Sequence, residues 1–182
     1  MKQYSLIVAV AIALLFGIYG SKYLFKGSML SRFSGQEDGA GLAVDILQTL
    51  TLERVDTKAV SIPDFKGRPL MINFWASWCG PCMTEMPSIY ALHKRFRDKG
   101  FEVLAINLDV DAVMGTRALA KRFGKPEFRI VRGHDEKYAD IFEIEGVPYT
   151  LLIDRDGKIR YAKAGERDWL DDKSIKLVEG IL

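Results

Sequence analysis

The sequence predicts an α/β domain with a central mixed sheet flanked by helices, and three observations carry that prediction. Leu70-Met71-Ile72-Asn73-Phe74-Trp75 is a short, mostly apolar run behind Pro69, which marks a buried strand. It passes into a helical pattern in which Met86, Ile89, Tyr90, Leu92 and Phe96 recur up to Arg97. Phe101 to Leu108 is a second buried-strand candidate, and Val113 to Phe123 a second helix with Gly124 as its stop, so strand, helix, strand, helix gives a parallel core. Tyr149 to Asp154 and Ile159 to Lys163 then flank Asp156-Gly157, a hairpin signal that adds antiparallel strands.

Taken from the amino terminus, 182 residues leave room for one ordinary domain plus an attachment, and 48% hydrophobic with 27% charged residues is normal for a globular protein. A net charge of +2 comes from interspersed signs, so neither nucleic acid nor an anionic surface is implied as a partner. Leu6 to Gly20 is apolar, and the nineteen residues from Gln3 to Ser21, between Lys2 and Lys22, carry no charge. That length suffices to span a bilayer. A cleaved signal peptide is the competing reading, but its apolar core would be shorter and no convincing small-x-small cleavage site precedes Lys22. Residues 1–26 are therefore expected to be an uncleaved, single-pass transmembrane anchor. Lys22, Lys26 and Arg32 follow the span while only Lys2 and the amino terminus precede it, so the charge rule alone argues for a cytoplasmic domain. The cysteine chemistry outweighs it, because a tethered dithiol is more useful in an oxidising compartment than in a glutathione-reduced cytosol.

Residues 27–41 hold four glycines and three serines with mixed charge, the composition of a flexible linker. The folded domain is placed at 42–182. Leu50, Leu52 and Val55 alternate with polar residues, and Val60, Ile62 and Phe65 lead to a turn at Lys66-Gly67, which predicts a short hairpin or edge strands; Leu42 to Leu50 could instead be a helical turn. Glu127 to Val131 is a brief strand or extended segment, Glu136 to Ile144 a helix with Tyr138, Ile141 and Phe142 on one face, and Trp169 to Leu182 a closing helix.

Both cysteines of the chain lie in Trp78-Cys79-Gly80-Pro81-Cys82, at the junction of the first strand and helix. Unpaired N–H groups and the positive end of the helix dipole stabilise a thiolate there, so Cys79, nearest the helix end, is expected to be the reactive thiol and Cys82, a turn further in, the buried resolving one. Such a pair closes a small disulfide and reopens it through a mixed disulfide. The competing readings are an inert structural disulfide or half a zinc site, and zinc would need more ligands than the distant His93 and His134. Glu85, three residues after Cys82 and on the same helical face, is the candidate proton acceptor for the resolving thiol; a solvated acid at a helix start is the alternative. Gly146-Val147-Pro148 precedes an apolar strand, and taken alone it is a trans proline opening an edge strand.

Phe74-Trp75-Ala76-Ser77-Trp78-Cys79-Gly80-Pro81-Cys82, then Glu85-Met86-Pro87, then Gly146-Val147-Pro148, resemble the thioredoxin fold, and more narrowly the TlpA/ResA-type membrane-anchored thiol-disulfide oxidoreductases. Asp64-Phe65-Lys66-Gly67, the helix inserted at Val113 to Phe123 and Leu151-Leu152-Ile153-Asp154 strengthen the resemblance, which covers roughly Val55 to Ala164. It implies that Trp78, Gly80 and Pro81 form the active-site motif, that Pro148 is cis and faces the disulfide, and that the Val147 backbone pairs with a bound substrate strand. Asn73 stands where cytosolic thioredoxins have a buried aspartate, Glu85 matches an acid of the anchored subgroup, and Pro87 resembles the family's helix kink. The implied protein is a monomer without cofactor or metal beyond its redox-active disulfide. It sits in the bacterial inner membrane with its catalytic domain outside the cytoplasm, and it reduces protein disulfides of the cytochrome c or respiratory-oxidase maturation type at the expense of a membrane thiol donor. A disulfide-forming oxidant of the same fold is the nearest alternative, and a copper-binding protein on this scaffold a more distant one, since its relatives space the cysteines by three residues and add a histidine.

Overall fold

The computed structural model describes residues 51–56, 59–133 and 146–182. The anchor at 1–26, the linker at 27–41, the helical-turn alternative at Leu42 to Leu50 and the helix expected at Glu136 to Ile144 all lie outside them. Among the described residues no helix is long and apolar enough to cross a membrane.

A five-stranded sheet forms the centre, in the spatial order Arg129–Arg132, Glu102–Asn107, Leu70–Trp75, Tyr149–Ile153 and Ile159–Ala164. Its middle strand is β3, Leu70–Trp75, every residue of which is buried, as expected of a strand covered on both faces. Strand β4, Glu102–Asn107, runs parallel to β3, with Leu70 opposite Glu102 and Trp75 opposite Asn107, and β5, Arg129–Arg132, runs parallel to β4. On the other side β6, Tyr149–Ile153, pairs antiparallel with β3, and β7, Ile159–Ala164, antiparallel with β6 around the Asp156-Gly157 turn, where Gly157 takes the positive φ of 81° that this turn requires. The edge strand β7 exposes Arg160 and Lys163, which discourages pairing with another sheet.

Alternation along β3 builds two cores. Met71 and Trp75 face helix α1, Gly80–Phe96, whose Met86, Ile89, Leu92 and Phe96 are buried against them together with Trp169, Ile175 and Val178. Leu70, Ile72 and Phe74 face the other way, into a core closed by Leu52, Val60, Ile62 and Phe65. Those last four come from an antiparallel hairpin, β1 at Thr51–Glu53 and β2 at Ala59–Ser61, and the 3₁₀ turn Ile62–Phe65 that follows it. The expected hairpin is thus present, and its work is to cap the second face of the sheet. Helix α2, Ala112–Phe123, turns Leu119 inward and ends at Gly124, as the stop signal indicated.

One boundary is corrected. The closing helix, α3, covers only Asp172–Glu179. The Asp171 carboxylate caps it by accepting from Ser174 N at 2.6 Å, so Trp169 lies in the preceding loop, and its side chain is buried because it fills the α1 core rather than because it continues a helical face.

Candidate active site

The site is made where β3 ends and α1 begins. Cys79 is the N-cap of α1, with extended backbone (φ −84°, ψ 106°), and its Sγ accepts from Cys82 N at 3.2 Å. Gly80 and Pro81 form the exposed first turn, Pro81 where a missing N–H has no helical partner to lose. Cys79 and Cys82 are joined in a disulfide, their Cα atoms 5.3 Å apart. Cys82 has no exposed surface and Cys79 retains 5%, so the outer sulfur is the one a partner can reach. No acidic residue stands in the first turn of α1, whereas His93, Lys94 and Arg95 occupy the last, a charge distribution that leaves the positive end of the helix free to hold a thiolate at Cys79.

A second segment reaches this sulfur. The Val147-Pro148 peptide is cis, Pro148 is buried, and the Val147 carbonyl oxygen lies 3.5 Å from Cys79 Sγ. In the disulfide this is a contact only; once reduced, the Cys79 thiol can donate to that oxygen. Trp78 stands 70% exposed beside Cys79, while Trp75 is fully buried in the core.

Behind the disulfide lies a buried acid. Glu85 is 2% exposed, which rules out the alternative of a solvated helix-start carboxylate. Its Oε1 accepts from Asn73 Nδ2 at 2.8 Å, and the same amide donates to Thr150 Oγ1 at 3.0 Å. Its Oε2 accepts from Arg167 N at 3.2 Å. Burial pushes the Glu85 carboxyl up from 4.5 to about 7, against the opposing pull of the Asn73 and Arg167 hydrogen bonds. The Trp169 indole N–H also favours the ionised form from nearby, although it falls outside hydrogen-bond geometry. A carboxyl that titrates near neutral pH is suited to exchanging a proton with a thiol. Asn73, which cannot itself carry a proton, instead fixes the acid that can.

The loop behind Glu85 is held down at several points. Trp169 N donates to Ser88 Oγ at 3.1 Å, Ser88 Oγ donates to the Glu85 carbonyl at 2.7 Å, and Arg167 donates from Nη1 to Ser174 Oγ at 2.9 Å while its guanidinium covers the Tyr161 and Trp169 rings. A groove of about 390 Å³, lined by Thr84, Glu85, Pro87, Ser88, Arg167 and Leu170 among others, opens against the acid. Thr150, Ser88, Arg167 and Trp169 were not singled out from the sequence. Thr150, Arg167 and Trp169 reach the site across 77 to 82 positions of chain, so no local spacing betrays them, whereas Ser88 lies on α1 three residues after Glu85. Among the described residues there is no group of His, Cys, Asp and Glu able to hold a metal ion.

The chain's relatives agree with this geometry. The thiol-disulfide oxidoreductase ResA of Bacillus subtilis (strain 168) is 31% identical over 108 residues, which are 59% of this chain and 59% of the relative. The ResA of Oceanobacillus iheyensis is 34% identical over 110 residues, 59% of this chain and 55% of the relative. The chain thus spans less than two thirds of the length of these curated relatives. Among solved structures, a thiol:disulfide interchange protein of the thioredoxin family from Chlorobium tepidum TLS superposes with a TM-score of 0.63 at 23% identity, covering 72% of this chain and 92% of that one, and so shares the fold. The Redoxin family model matches residues 42–177, the last of which lie in α3. With well over half its length matched and a disulfide seated at the helix N-cap beside a cis proline, this chain belongs to the Redoxin family.

Proposed function

We propose that this protein is an extracytoplasmic thiol-disulfide oxidoreductase, held on the bacterial inner membrane by residues 1–26, which reduces disulfides of partner proteins of the cytochrome c or respiratory-oxidase maturation type. The observation that carries the reading is the seating of Cys79: its sulfur caps α1, stands against the Val147 carbonyl and is linked to a fully buried Cys82. An inert structural disulfide has no need of a thiolate-stabilising helix end or an acid titrating near neutrality behind it.

The exchange is balanced in two steps. The Cys79 thiolate attacks one sulfur of the partner disulfide, forming a mixed disulfide and releasing the other partner sulfur as a thiolate. Cys82, deprotonated with Glu85 as acceptor, then attacks Cys79 Sγ, expelling the second partner thiolate and leaving the Cys79–Cys82 disulfide. Two electrons have passed to the partner, and a membrane thiol donor must return two to this chain. Val147 pairs through its backbone with the bound partner strand beside Pro148, and Trp78, Gly80 and Pro81 form the rim it lies across.

The direction of transfer is tested by equilibrating the pair against glutathione. We expect a potential near the about −270 mV of thioredoxin rather than the about −120 mV of a strong oxidant. A value above roughly −180 mV would make the protein an oxidant instead.

A further inference from the structure

Two residues before Cys79, the chain is gripped from an unexpected quarter. Asp109, just past the end of β4, is 6% exposed, and both its carboxylate oxygens lie 3.1 Å from Ser77 N. Oδ1 also accepts from Ser77 Oγ at 2.9 Å, and Oδ2 from Asn107 Nδ2 at 2.8 Å, while Asn107 Oδ1 accepts from Asp109 N at 2.9 Å. Helix α2 closes the back of this cluster: a Cβ on Gly115 would come within 1.8 Å of Asp109 Oδ2 and 2.9 Å of Asn107 Nδ2. The carboxylate has no Lys, Arg or His partner within ion-pair distance among the described residues, and all its contacts are to neutral donors.

Withdrawing an unpaired carboxylate from water is costly, and a neutral side chain would end a strand at less expense. What the charge supplies is strong, directional hydrogen bonds to one particular loop. That loop is already tied by main chain, Leu108 N to Trp75 O at 2.8 Å and Cys79 N to Ala76 O at 3.2 Å, the second closing a four-residue turn over Ser77-Trp78, and Asp109 is what fastens that turn to the end of β4. Cys79 has to satisfy two constraints at once, capping α1 and standing against Val147 where the partner strand binds, and displacements of about 1 Å in a reacting group cost up to about 100-fold in rate.

We propose that Asp109 is a positioning residue for Cys79, acting through Ser77, with Asn107 orienting its carboxylate and Gly115 giving it room. The inference rests on the thiol-exchange reading of the disulfide. It makes α2, the inserted helix, part of the support of the active-site loop.

The test is stopped-flow reduction of insulin disulfides by the reduced protein, beside alkylation by iodoacetamide at a pH where Cys79 is fully thiolate, for wild type, Asp109→Ala, Ser77→Ala, the double variant and Gly115→Ala. All are measured below their unfolding transitions, followed by circular dichroism. We expect Asp109→Ala to slow attack on insulin about 10-fold or more with alkylation within about 2-fold of wild type, because position is lost and nucleophilicity is not. The double variant should be no slower than Asp109→Ala alone, since Ser77 acts through the same contact. Gly115→Ala should slow attack as well, although alanine is the better helix former, because its methyl group displaces the carboxylate. Folded Asp109→Ala and Gly115→Ala proteins that reduce insulin at the wild-type rate would overturn the positioning role alone. Wild-type protein that does not reduce insulin would overturn the thiol-exchange reading, and the inference with it.

Discussion

A Cys82→Ser variant will hold its partner as a mixed disulfide through Cys79, while a Cys79→Ser variant will form no such adduct and will reduce disulfides about 10³-fold or more slowly than wild type. The asymmetry follows from burial and from the helix. Cys79 caps α1 and keeps a little exposed surface; Cys82 has none, so a partner sulfur can approach only the first. Removal of an attacking nucleophile is among the most severe losses a site of this kind can suffer. Removing the resolving thiol leaves the first attack intact and blocks only the second, so the covalent intermediate accumulates. Non-reducing electrophoresis with mass spectrometry of the adduct reads both variants. An adduct through Cys82 in the Cys79→Ser protein, at the rate seen for Cys79 in the other, would reverse the assignment.

Glu85→Gln will turn over protein disulfides about 10-fold or more slowly near pH 7, the lower end of general acid-base contributions, while its Cys79 stays reactive toward alkylating agents. Glutamine has one acceptor oxygen, which keeps the bond from Arg167 N, while an amide flip of Asn73 presents its unpartnered Oδ1 to the new N–H, so the fold is retained and the titrating proton is what disappears. The same substitution changes how stability depends on pH. Glu85 is raised in the folded protein to about 7 from 4.5, so between these values the folded state holds a proton that the unfolded state has lost. Stability contributed by the neutral acid is complete below about pH 4.5 and is lost as pH rises to about 7, a change on the order of 3 kcal/mol at 1.36 kcal/mol per unit. Denaturant unfolding of the oxidised protein from pH 4 to pH 8 should show this decline in wild type and a flatter profile in Glu85→Gln. Equal turnover by the two proteins across pH 6 to 9 would leave Glu85 a structural acid and require another acceptor for the Cys82 proton.

The parts of the site legible in the sequence are those written locally. Cys79, Cys82 and Glu85 share one helix start, and the apolar run ahead of them could only be a strand buried on both faces, as β3 is. Gly157 and Gly124 announced their turn and helix stop because glycine alone takes a positive φ without steric cost. The rest depended on tertiary closure. Trp169 has the apolar character of a helix residue, and only the folded chain shows it in the loop ahead of α3, filling the α1 core near Glu85. Asp109 looked like an ordinary polar end to a strand, because its partner Ser77 is 32 positions away and becomes a neighbour only when β3 and β4 pair in parallel. Asn73, noted as a departure from the thioredoxin aspartate, acquires a purpose only once β6 delivers Thr150 and the helix turns Glu85 inward to meet its amide.

The central claim, that this chain passes electrons to partner disulfides rather than drawing them out of partner thiols, is met most directly by trapping the Cys79–Cys82 pair inside living cells with acid followed by alkylation, and weighing the protein by mass spectrometry. Cells carrying the full chain should yield the pair mainly as two alkylated thiols, the form a reductant keeps in reserve. A pair recovered mainly as the disulfide during ordinary growth would contradict the claim and make the protein a donor of disulfides.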